Sequence, residues 1–579
     1  MLRPEVQGGE NRMRTTSGLR AACLALALAL LGSACTARDG DDGGDGVRGG
    51  TLRVLSNRSL AGLSGLDTAG YALLSRAYAR TLYSYNLSGP PEQATVPVPD
   101  IASGPPQVSA DQRTYTFRLR AGVRYAPPVD REVTAQDFIT AIERLYDKTI
   151  SLSGNSYADL IAGASAFGAG KASRISGLAA PDARTLQITL VQPAPDLLSI
   201  LALPMFAPVP GEYAANYAVG ENYSGHVVGS GPYTPDVYIP GETVVLVRNP
   251  HWDPATDPLR KAWVDRIHVR VGVGISLIQR QIEREEADLS LNSHVPQARV
   301  AALRADPQRS RRVSVNTTGS LLFLVLGTNP KAGAIADVRV RQAVNYAIDK
   351  VAYRDAVAGR FAATGELAST IMAPGSLGYR HYDLYPTPGG RGDPAKARAL
   401  LAAAGYPHGL TLGFATFGSG RLAAGRKPIE DSLKRAGIRL KVTTNKEWDP
   451  HFEALRNPAK RLEHQLAQNG WILEYFGDNA RQSIVAQYDS RLTDTGNFSE
   501  YDNPAVNQII DRALAEPDWD RRAALWAQID QRIMRDAPLV PLLWEKASFQ
   551  WASRVHGWTY DPWTTAPDLT AVWLDPPRP

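Results

Sequence analysis

Cysteine is nearly absent: the 579 residues hold two, Cys23 and Cys35, both close to the amino terminus. A disulfide framework is therefore excluded for the body of the chain, and a chain this long buries enough surface to do without one. Histidine is scarce too, with nine residues and none paired with a cysteine or with another histidine at helical spacing, which argues against a metal site. No apolar run beyond the first 35 residues approaches membrane-spanning length. The net charge of +5 is spread along the chain, and basic clusters such as Arg309–Arg312 lack interleaved aromatics, so no nucleic-acid partner is expected. A GxSxG elbow, an HExxH helix and a Walker loop are all missing. Gly418–Ala423 (GSGRLA) follows a strand-like run and superficially matches a dinucleotide loop, but it lacks the acidic residue at the required distance. Neither an enzyme nor a cofactor is expected.

What remains is a soluble globular composition, 44% hydrophobic and 21% charged, on a chain too long for a single core. Met13–Cys35 reads as a secretory signal: Arg14 and Arg20 precede the apolar run Ala21–Leu31, and Gly32-Ser33-Ala34 lead to Cys35 as at a lipoprotein cleavage site. Lipidation of Cys35 is the expectation, with an ordinary secretory signal as the alternative. Leu31 stands four residues before the cysteine, where the usual box has leucine at three. The codons of Gly8-Gly9-Glu10 can spell a ribosome-binding sequence, so translation is expected to start at Met13. Residues 36–49, rich in Gly and Asp, read as a flexible tether.

The most patterned stretch is Val228–Ile267. A Gly-Ser-Gly-Pro turn and a short run are returned by Ile239–Glu242 as the strand Thr243–Arg248, which Asn249-Pro250 stops. A spacer with two Asp-Pro pairs then leads to a second strand, Arg266–Val271, with its apolar residues on one face. Elsewhere, Tyr115–Leu119 and Thr185–Leu190 read as strands. Thr134 with Asp137 resembles a capping box before the apolar helix face Phe138, Ile139, Ala141, Ile142 and Leu145. Helices are expected over Leu73–Tyr83, Leu277–Leu289, Asp337–Val351, Lys396–Gly405 (capped by Asp393-Pro394), Ala505–Ala515 and Arg521–Arg535, and a strand within Asp536–Leu543.

The succession GSGPY, a Pro-Gly turn, LVRNPxW and an Asp just before a strand resembles the extracytoplasmic solute-binding proteins of the oligopeptide- and dipeptide-binding family, family 5. Further boxes agree in family order: REVTAQDF (131–138), EADL (286–289), DVRVRQAVNYAID (337–349), KARALLAAAGY (396–406) and DAPLVPLL (536–543). The resemblance implies an α/β, two-lobed periplasmic-binding-protein-like fold with an extra small middle domain and a hinge. It places lobe I over 50–85, 225–316 and 545–579, the middle domain over 86–224 and lobe II over 317–544. It also implies a monomeric, lipid-anchored receptor on the outer face of the cell membrane. Such a receptor captures peptides and delivers them to the permease subunits of an ABC importer, without chemistry on the ligand.

GWILEYFGD (470–478) resembles the family's ligand box, whose first Asp pairs with a peptide's α-ammonium group. Here Glu474 stands at that position, one methylene longer. Asp478 comes a residue late for the second Asp, Asn479 replaces a proline, and Trp471 and Tyr475 offer aromatic walls. In the alternative reading of these residues, Trp471 and Tyr475 pack internally and Glu474 makes an internal ion pair. The departures also keep open a non-peptide ligand on the same fold, such as a nickel chelate, a siderophore-like compound or a saccharide. A secreted hydrolase is the third reading, for which no nucleophile and base can be located.

Overall fold

The computed structural model describes residues 46–576 apart from 59, 61, 64–71, 91–92, 147–154, 218–223, 359–364, 446–447, 476, 493–495 and 563. The leader, Cys35 and the tether up to residue 45 lie outside the described residues. Three apolar cores, each on its own sheet, organise the rest into a mixed α/β, two-lobed molecule.

The first sheet has five strands in the order Leu289–Ser290, Thr51–Leu55, Arg266–Arg270, Thr243–Arg248, Tyr233–Ile239. Alternation builds it: Ile267 and Val269 are fully buried while Arg266 and Arg270 face water. The two strands read from the signature stretch pair antiparallel, Leu246 opposite Ile267. The glycines of GSGPY are needed for a close approach, since a Cβ at Gly231 would lie 2.7 Å from the Tyr78 carbonyl carbon.

A small sheet of four antiparallel strands, Gln107–Val108, Thr114–Arg118, Thr185–Thr189 and Leu178–Asp182, carries the second core. Helix Ala135–Arg144 lays Phe138, Ile139 and Ile142 on it. The helix start is fixed by Asp137, whose carboxylate accepts the Thr134 N–H at 2.8 Å and a two-pronged bond from Arg131, both arms 2.8 Å.

The third sheet has six strands in the order Glu366–Leu367, Leu539–Gln550, Val313–Leu326, Leu466–Trp471, Leu410–Phe417, Ile438–Asn445. Its two longest strands, Val313–Leu326 and Leu539–Gln550, pair from Val313 opposite Gln550 to Val325 opposite Leu539, with a register shift between Thr317 and Leu321. One end of the pair packs with Val295, Val300 and Leu303, and the other lies in the large third core. Just past the pair's end, Trp551 bridges Leu289 of the first sheet, so these crossing strands join the first and third sheets.

Three expected helices are shorter than their sequence pattern. Leu73–Tyr83 is helical only over Ala72–Tyr78, and Tyr83 already belongs to the strand Tyr83–Tyr85. Asp337–Val351 breaks into Val338–Ala347 and Lys350–Ala358, because Ile348 is extended and the Asp349 carboxylate caps the new helix by accepting the Ala352 N–H at 2.8 Å. Leu277–Leu289 is helical only over Ile275–Glu283; Glu285 takes φ +61° and the chain turns into the strand Leu289–Ser290.

Four charges join the first core to the second. Arg80 donates to Asp100 at 2.8 Å, Arg260 donates to Asp100 at 2.8 Å and to Asp257 at 3.2 Å, and Arg80 stands 3.6 Å from Asp257. The exposure of these four side chains does not exceed 2%. Against the upward push of burial, Arg260 and Arg80 hold the Asp100 carboxyl down to about 2. The spacer of the signature stretch supplies two of the four, and Trp252 fixes Asp257 with an Nε1–H bond of 3.0 Å.

Candidate functional site

The strand Leu466–Trp471 belongs to the six-stranded sheet of the third core, here lobe II, and Tyr475 of the box that follows it packs in the core of the four-stranded sheet, here the small domain. Trp471 itself stays on the sheet, opposite Leu321, which in turn pairs with Trp544. Its ring lies so close to Gly496 that a Cβ there would be 2.8 Å away, and its indole nitrogen is buried without a partner among the described residues. The next residue, Ile472, is 70% exposed, more than any other large apolar side chain among the described residues.

Beyond Ile472 the chain meets the small domain. Glu474 accepts the Tyr157 hydroxyl at 2.6 Å, and its own N–H donates to Gln482 Oε1 at 2.7 Å. The Gln482 amide donates back to the Tyr157 oxygen, so one phenol is held by two side chains of lobe II. Burial and then the nearby Glu474 charge raise Tyr157 well above the ordinary phenol range, which keeps it a donor. Tyr475 is fully buried and packs in the core of the small domain, its ring edge-on to Tyr157 with centroids 6.2 Å apart. Its hydroxyl reaches Asp196 at 3.3 Å.

Asp196 belongs to the small domain and takes a two-pronged bond from Arg481 of lobe II, Nε to Oδ2 at 2.6 Å and Nη2 to Oδ1 at 2.8 Å. Burial pulls the guanidinium down, but Asp196 more than offsets this and holds it above its ordinary value. Asp478 pairs with Arg522 at 2.8 Å, both 4% exposed. Burial, reinforced by Asp196, pushes its carboxyl up to about 6 against the pull of Arg522. Just before Asp478, Gly477, at φ +76°, lies against the Thr95 carbonyl so closely that a Cβ would collide with it.

The structure thus brings Glu474 and Tyr475 to one interlobe surface, sets Asp478 just behind it on Arg522, and leaves Trp471 on the sheet. Sequence reasoning missed Tyr157, Asp196, Arg481 and Gln482. It also missed Glu545 on the crossing strand, whose carboxylate accepts the Ser320 hydroxyl at 2.7 Å. None of these lies in a motif, and only Arg481, Gln482 and Glu545 are near one. Among the described residues, no group of three or more His, Cys, Asp or Glu side chains is placed to hold a metal ion, and no helix is long and apolar enough to cross a membrane.

The model of the bacterial extracellular solute-binding proteins, family 5 (middle), matches residues 96–487. The chain is 28% identical over 454 residues to the periplasmic murein peptide-binding protein MppA of Escherichia coli (strain K12), covering 75% of this chain and 77% of that one. It is 27% identical over 531 residues to di/tripeptide-binding protein 2 of Pseudomonas aeruginosa (strain UCBPP-PA14), covering 88% and 92%. Among solved structures, clavulanic acid biosynthesis oligopeptide binding protein 2 matches with a TM-score of 0.83 at 30% identity, over 92% of this chain and 96% of that one. The unliganded open form of MppA shares the fold, with a TM-score of 0.71 at 23% identity over 91% and 98%.

Proposed function

Because the chain belongs to the bacterial extracellular solute-binding proteins of family 5, we propose that it captures peptides between two closing lobes and hands them to the permease subunits of an ABC importer. The observation that carries this reading is Glu474, a half-buried carboxylate bonded to Tyr157 of the small domain and two residues after the exposed Ile472. A carboxylate with an apolar neighbour suits an α-ammonium group followed by a side chain. The peptide-binding relatives support the ligand class. The ligand leaves unchanged, and the lobe and domain limits given above are part of the proposal. So is a lipid on Cys35, which would hold the receptor at the outer face of the membrane and which mass spectrometry of the mature protein would detect.

The second reading, a non-peptide solute, is favoured by Asp478, which is engaged by Arg522 rather than turned to a ligand. A thermal-shift screen against a random peptide pool, native and N-acetylated, tests both. The expected result is stabilisation by the native pool, lost on acetylation and lost in Glu474→Ala, since a ligand that binds only the folded state raises Tm by mass action. Equal stabilisation by both pools would keep peptides and remove Glu474 from the ammonium role. No shift from either would leave the non-peptide reading.

A further inference from the structure

We infer that Asp196 and Arg481 form a latch that holds lobe II against the small domain without a ligand, so that the closed form is populated in the empty protein. The inference concerns the empty protein and stands whatever the ligand is.

The pair spans the two lobes. Asp196 precedes the short helix Leu197–Ile200 packed in the small-domain core, and Arg481 opens the turn of π-helix Arg481–Val485 in lobe II. The guanidinium meets the carboxylate with two parallel bonds, at 2.6 and 2.8 Å, with the two side chains 13% and 6% exposed. Such a fork fixes direction as well as distance. A buried ion pair alone gains little once its desolvation is counted, so the latch needs a second source of stability. Tyr475 supplies it. Its ring is 0% exposed and sits among small-domain side chains, although the residue is carried by lobe II. Opening the lobes would return that ring to water, and an aromatic ring is among the largest apolar surfaces a residue can bury. Its hydroxyl also accompanies Arg481 on Asp196. On the far side, Tyr157 is shared by Glu474 and Gln482. The lobe II segment 474–482 therefore gives four side chains to two small-domain groups, each with its hydrogen bond made inside the protein.

The consequence is a pre-paid closure. A receptor that must close around its ligand binds more weakly by the fraction of time it spends closed when empty. Breaking the latch lowers that fraction and weakens every ligand alike, in contrast with loss of a ligand contact, which acts on one ligand class.

The test is small-angle X-ray scattering on the full chain, stripped of solute by denaturation and refolding. Wild type is compared with Asp196→Asn, Arg481→Gln and the exchange Asp196→Arg with Arg481→Asp. The expected result is a larger radius of gyration in each single variant and recovery of the wild-type value in the exchange. Where a peptide pool binds, its apparent affinity should fall about tenfold in the singles for an empty protein that becomes about nine-tenths open. An empty wild type as extended as the single variants would overturn the inference. So would an exchange variant that melts cooperatively but stays extended. Should the singles not fold, Arg481→Lys keeps the charge and loses the fork. An intermediate radius then supports the latch, and an unchanged one overturns it. The scattering uses no ligand, so its failure is separate from a failure of the peptide reading.

Discussion

The small domain has two interfaces, and they are held together differently. Toward lobe I it meets a closed set of two arginines and two aspartates, Arg80, Arg260, Asp100 and Asp257, whose side chains are essentially out of contact with water. Toward lobe II it meets one fork, Arg481 on Asp196, with one phenol and one ring around it. The first arrangement neutralises each charge with more than one partner and forms part of the folded body. The second has the chemistry of an interface that can part, because each of its polar groups can be taken over by water on opening and only one ring is exposed. On the latch proposed above, opening would move the small domain and lobe I as one piece, with the crossing strands Val313–Leu326 and Leu539–Gln550 taking up the bend.

That contrast can be broken at its stronger side first. Asp100→Ala would leave Arg80 and Arg260 buried beside a single carboxylate, a loss of about 3–5 kcal/mol of stability, read from urea unfolding. A cost below about 1 kcal/mol would mean that water reaches the cluster and the two interfaces are alike.

The pH dependence sharpens the same comparison, because the two buried acids shift in opposite directions. Asp100 is held at about 2, below the ordinary 3.8, so its contribution is present above 3.8 and is lost as the pH falls toward 2. Asp478 is raised from 3.8 to about 6, so its contribution is present below 3.8 and is lost as the pH rises through 6. Between pH 4 and 7, Asp478→Asn should therefore gain on wild type by about 2 kcal/mol. Asp100→Asn should show no such gain there and should lose its deficit below pH 4. Parallel profiles for the two variants would contradict the assignment.

The smallest effect is expected at Gly477, where the left-handed backbone and the Thr95 carbonyl leave no room for a side chain. Gly477→Ala should cost about 1 kcal/mol of global stability and, in the same scattering measurement, expand the empty protein. Lost stability without expansion would place Gly477 in the fold of lobe II alone.

Much of the architecture was legible in the sequence because it is written at short range. The alternation of Arg266–Arg270, the Thr134–Asp137 helix start and the Asp393-Pro394 cap are local patterns, and the structure repeats them. The break at Ile348 was hidden because the residues on either side keep one helical period, and the Asp349 cap that decides it looks in sequence like any acidic residue. The site was half legible. GWILEYFGD marked the segment, but the groups that receive it stand 317 residues away for Tyr157 and 285 for Asp196. No periodicity links such pairs. Asp257 shows the same limit: in sequence it is half of an Asp-Pro turn, and in the structure it also belongs to the four-charge cluster.

Tyr475 has a consequence of another kind. A ring that belongs to lobe II by chain and to the small domain by packing makes closure a partial folding event, with a heat-capacity change of its own. Burial of apolar surface weakens as a driving force on cooling, so the empty receptor should open in the cold and shut as it warms, below the temperature at which it melts.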